Sequence, residues 1–76
     1  MCILKIQIKN RHEAVKCAAY LSRLGVVCVR FGSAVVLLST SRNNAIVSKA
    51  ITTCQGYTIS PSNSDKARIL SLAYGT

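Results

Sequence analysis

The chain has 76 residues, with ten Lys or Arg against two Asp or Glu, a formal charge of +8 and a pI of about 9.9. That length accommodates one domain, since compact domains need roughly 50 residues and chains divide only well beyond ~200, and an apolar share of 50% excludes a disordered chain. The only carboxylates, Glu13 and Asp65, stand where helix starts are expected, leaving none for acid–base chemistry; this points away from an enzyme and toward a binding protein with an acidic partner.

Ile3 to Lys9 alternates, with Leu4, Ile6 and Ile8 on one side and Lys5, Gln7 and Lys9 on the other, which predicts a half-buried strand. Lys5 and Lys9 also interrupt the first apolar stretch, so no signal peptide is expected. Asn10 precedes Glu13 at capping-box spacing and predicts a helix. Its apolar side is Ala14, Cys17, Ala18, Leu21 and Leu24, its outer side carries His12, Lys16, Tyr20 and Arg23, and Gly25 is the expected left-handed terminator. Val26 to Phe31 and Ala34 to Ser39 read as a hairpin turning at Gly32-Ser33. Arg30 and Gly32 interrupt Leu24 to Leu38, which also falls short of the ~20 apolar residues of a spanning helix, so no membrane partner is expected.

Ser41 is the expected cap of a second helix from Arg42 to about Cys54, with Ile46, Val47, Ala50 and Cys54 inward and Gly56 ending it. Tyr57 to Ser60 predicts a short strand closed by Pro61. Asp65 to Tyr74 carries two patterns: caps at Ser62 or Ser64 and a terminal Gly75 favour a helix, whereas Leu70, Leu72 and Tyr74 in alternation also suit a strand; the helix is preferred.

The order β-α-β-β-α-β predicts an α+β fold of the ferredoxin-like, split βαβ type, a two-layer sandwich over residues 1–76 with an extra helix or strand at the C-terminal end. Such a sheet has one open face. If Leu4, Ile6 and Ile8 meet the helices, Lys5 and Lys9 lie on the other side with residues of the hairpin.

The expected function is a small, basic, non-enzymatic module contacting nucleic acid or another acidic surface through Lys5, Lys9, Arg11, Lys16, Arg23 and Arg30. The alternative is a protein-interaction factor, an inhibitor or adaptor of the kind mobile elements encode, including anti-CRISPR-type proteins. It would work through Val35 and Leu37 on the sheet or through Ile69, Leu70, Leu72 and Tyr74, and a homodimer would bury the same apolar surfaces. The topology resembles the RNA recognition motif, whose central strands carry stacking aromatics; here Phe31 is the only ring in the first strand and hairpin. It is also similar, in topology and helix length alone, to SPOR and ACT modules, while the glycine-rich loop of an acylphosphatase is absent.

Cys2, Cys17, Cys28 and Cys54 lie far apart with no C-x-x-C pair, and His12 is the one imidazole, so neither a metal nor another cofactor is expected. Reduced core thiols imply a cytoplasmic setting. His12 reads as a surface residue, because no carboxylate is available to orient its ring.

Overall fold

A computed structural model describes residues 2–75. The elements are β1 (Cys2–Gln7), α1 (Arg11–Arg23), β2 (Cys28–Phe31), β3 (Ala34–Ser39), α2 (Asn44–Thr53), β4 (Tyr57–Ile59) and α3 (Asn63–Tyr74). The four strands form one antiparallel sheet in the order β2-β3-β1-β4. The chain is therefore a small α+β fold of three helices and a four-stranded antiparallel sheet, and the doubly patterned C-terminal segment is a helix.

Register sorts the side chains between two faces, because residues directly opposite one another in an antiparallel pair project the same way. Leu4 lies opposite Leu37 and Ile6 opposite Val35. These residues meet Ala14, Cys17 and Leu21 of α1 and Val47 and Ala50 of α2 in the larger core cluster. On the second face Ile3 lies opposite Leu38 and Lys5 opposite Val36. Here Val36, Leu38 and Ile69 are buried together, flanked by Val27, Val29 and Phe31 of the hairpin and by Leu70 and Ala73 of α3. The second face is thus covered by α3 over β3 and β2. Complete burial of Ile69 alone is worth about 1.5–3 kcal/mol.

Several boundaries differ from the sequence expectation for identifiable reasons. β1 stops at Gln7, and β2 begins at Cys28 because Val26 N–H is turned back to the Leu21 carbonyl at 3.0 Å, ending α1 around the left-handed Gly25. Asn10 caps α1 by accepting from Glu13 N–H at 2.8 Å. α2 starts at Asn44 instead of Arg42, and Ser41 is not its cap. Asn43 spends its side chain on the preceding turn, donating to the Leu38 carbonyl at 3.1 Å and accepting from Thr40 N–H at 2.8 Å.

The end of α2 also departs from expectation. Gly56 N–H reaches the Ile51 carbonyl at 3.0 Å, and the residue in the left-handed region is Gln55, with φ 56°, one place before the glycine. Gly56 is needed for a different purpose. A Cβ on it would stand 2.6 Å from Ile6 Cγ2, 2.8 Å from Ile8 Cδ1 and 3.1 Å from the Gln7 carbonyl oxygen, so its missing side chain is what lets the chain pass against β1 into β4. Consequently Gln55→Gly is expected to raise unfolding free energy by about 1 kcal/mol, and Gly56→Ala to lower it by about 1–3 kcal/mol. Urea midpoints at unchanged m-value measure both; a stabilising Gly56→Ala contradicts this packing.

Candidate functional site

Lys5, the central residue of the expected basic sheet face, is engaged. Its Nζ lies 2.8 Å from Asp65 Oδ2, and the two side chains are only 21% and 11% exposed. The same carboxylate oxygen accepts from Ser62 N–H at 2.9 Å while Asp65 N–H donates to Ser62 Oγ at 3.1 Å, a complete capping box at the start of α3. The sheet-face site is corrected accordingly: α3 covers that face, and Lys5 is a structural ion-pair partner. The apolar alternative is corrected in part. Val35, Leu37 and Ile69 have no exposed surface and Leu70 is half-buried, while Leu72 and Tyr74 project outward at 57% and 60% exposure.

The other candidate cations are separated. Lys9 and Arg11 flank the start of α1, Lys16 stands 3.9 Å from Glu13 Oε1 on its exposed side, and Arg23 closes its last turn. Exposed pairs such as Glu13–Lys16 contribute little to stability, yet this one occupies the second carboxylate. Two bases are therefore matched by two acids, and Lys9, Arg11, Arg23, Arg30, Arg42, Lys49, Lys66 and Arg68 form no ion pair with an acidic side chain among the described residues.

One end of the sheet gathers four of these eight. Ile8 N–H donates to the Ser33 carbonyl at 2.9 Å and so brings Lys9, the next residue, to the Gly32-Ser33 turn; Arg11 follows in the first turn of α1. Arg30, whose partner Val35 faces α1 and α2, folds over the tip and donates from Nη1 to the Gly32 carbonyl at 2.9 Å. From the opposite face Arg68 of α3 lies 5.9 Å above the centre of the Phe31 ring. Gln7 locks the turn, with its amide nitrogen 2.7 Å from Ser33 Oγ. Opposite Gln7 on the edge strand stands Tyr57, 62% exposed. Cationic groups thus border the hairpin tip on both sides of the sheet, next to an exposed aromatic ring.

Arg68 and Tyr57 were not singled out from the sequence. Arg68 reaches the hairpin only because α3 lies over β2, and Tyr57 reaches the same end only through its register with Gln7. Beside this end, a depression of about 330 Å³ between the start of α1 and the end of α2 is lined by Lys9 and also by Glu13, so its rim is of mixed sign.

The four cysteines are free. Cys17 is buried between the helices and the sheet. Loss of hydration, a hydrogen bond with Cys54 and the nearby Cys54 and Cys28 sulfurs push its thiol up to about 12, which keeps it protonated and a poor nucleophile. Among the described residues no group of three or more His, Cys, Asp or Glu side chains is arranged to hold a metal ion, and no helix is long and apolar enough to cross a membrane. His12 is exposed in the first turn of α1. Comparison with protein families, with curated proteins and with solved structures finds no match for this chain.

Asp65 has a pH signature. The hydrogen bond from Lys5, then those from the Ser62 backbone and hydroxyl together with the Lys5 charge, hold its carboxyl at about 2, below its ordinary 3.8 and against the opposing effect of burial. A carboxyl depressed in the folded state stabilises fully above its unfolded pKa and loses that contribution as pH falls through the folded value. The stability advantage of the wild type over Asp65→Asn is therefore expected to be constant above 3.8 and to shrink as pH falls toward 2. Denaturant titrations across that interval measure it, and an advantage independent of pH contradicts the assignment.

Proposed function

We propose that this chain is a non-enzymatic binding module for an acidic macromolecule, nucleic acid foremost, and that it makes contact through the basic end of the sheet formed by Lys9, Arg11, Arg30 and Arg68. The observation carrying this reading is the disposition of charge. Asp65 is taken up by Lys5 and Glu13 lies beside Lys16, so the four cations around the hairpin tip outnumber the one acid near them, Glu13, and leave a net positive field for phosphate. Neutralising phosphates releases condensed counterions and supplies affinity with little sequence preference. Tyr57 adds an exposed face on which an unpaired base can stack.

The topology bears on where contact is made. Taken from its other edge, the order is β4-β1-β3-β2, in which β3 is inserted between β1 and β2 and β1 between β3 and β4. We read this as the ferredoxin-like arrangement of two interleaved split βαβ units, with α3 added on the face that is open in a two-layer sandwich. Ligand contact is thereby moved from the sheet face to the sheet end. The free cysteines suit a reducing, cytoplasmic setting.

Lys9→Ala/Arg11→Ala/Arg68→Ala is expected to weaken binding to a DNA duplex and to reduce the slope of log affinity against log salt by about 2.7, three phosphate contacts at ~0.9 each. Arg23→Ala/Arg42→Ala/Lys49→Ala, which removes the same charge elsewhere, is expected to change the slope by less than one contact. Fluorescence anisotropy over a salt series compares them, and equal losses would show a diffuse field instead of a site.

A further inference from the structure

A second surface lies where α1 gives way to β2. Leu24, the residue capping α1, is 45% exposed, and Tyr20, one turn before it, is 40% exposed. Leu24 forms one wall of a cleft of about 340 Å³ whose other walls include Val27, Leu38 and Ile46, with Arg42 on its rim. Tyr20 and Arg23 border Leu24 on its other side. The cleft is therefore mainly aliphatic, with Arg42, Thr40 and Asn43 among its lining, and Arg23 lines the adjoining depression that shares Leu24.

Charge selects what this cleft takes. Glu13 is ten residues before Arg23 along α1, about 15 Å at 1.5 Å per residue and beyond the screening length of ~8 Å at physiological salt. Asp65 is bound to Lys5. Arg23 and Arg42 thus attract anions unopposed. A second copy of the chain fits poorly, since each carries +8 and has no spare carboxylate to offer. Phosphate oxygens gain nothing from aliphatic walls.

We propose that this corner docks an acidic segment of another protein, one that inserts an aliphatic side chain into the cleft while flanking carboxylates pair with Arg23 and Arg42. This site is separate from the basic sheet end and does not depend on what binds there.

Two synthetic dodecapeptides test it on the isotope-labelled protein by nuclear magnetic resonance titration: oligoglutamate, and the same peptide with leucine at two positions. The leucine peptide is expected to bind about tenfold more tightly, the worth of burying roughly one such side chain, and to shift the amides of Leu24, Val27 and Arg42 most. Leu24→Asp should abolish that preference while leaving binding of a DNA duplex unchanged. Equal affinity of the two peptides, shifts centred on Lys9, Arg30 and Arg68, or an oligonucleotide shifting the Leu24 corner as strongly would each overturn the proposal. The wild-type comparison decides the matter even if Leu24→Asp does not fold.

Discussion

The bond between Lys5 and Asp65, at 2.8 Å, organises the rest of the molecule. Asp65 serves two structures at once. It completes the capping box with Ser62 that starts α3, and it fastens that start to β1, so forming the helix and docking it are coupled. Once α3 is docked, Ile69 lies over Val36 and Leu38, and a sheet that would otherwise offer one wet apolar face is packed on both. For a chain of 76 residues this matters, because small domains bury a smaller share of their surface and gain most from a second packed layer.

The same bond determines where charge is available. An acid used inside the fold cannot neutralise the outside, and the other acid pairs with Lys16 three residues along α1. The exposed surface is left with cations and divides into two kinds of ground. At one end of the sheet, Arg30 and Arg68 stand at the hairpin tip, with Lys9 nearby and Tyr57 exposed at the same end of the edge strand. At the opposite end of α1, Leu24, Val27, Leu38 and Ile46 line a cleft together with Arg42. The first arrangement favours a polyanion held by charge, the second a partner that also has something apolar to bury.

Much of the local structure was legible because local rules specify it. The alternation of Leu4, Ile6 and Ile8, the cap at Asn10, the glycine in the 32–33 turn and the stripe through Cys17 and Leu21 each state their conformation within a few residues. What was not legible depends on distance along the chain. Lys5 looks like an outward lysine until Asp65, sixty residues later, is placed beside it. The left-handed position falls on Gln55, while Gly56 is required by Ile6 and Ile8, remote in sequence, which leave no room for a Cβ there. One further signal is local: Ala34 to Leu38 is an unbroken apolar run, and all five residues are buried. Such a run marks a strand covered on both faces, where alternation marks one covered on a single face. It indicates that α3 closes the second face and that neither Val35 and Leu37 nor Val36 and Leu38 are free for a partner.

The most direct test of the central claim is the set of interproton contacts around α3 in solution, recorded without any ligand. The account predicts strong nuclear Overhauser effects from the Ile69 methyl groups to those of Val36 and Leu38, together with contacts between the Lys5 side chain and the first turn of α3. If those contacts are absent while the sheet and the two other helices are intact, the second face is open, Lys5 is free, and the site belongs on the sheet instead of at its end.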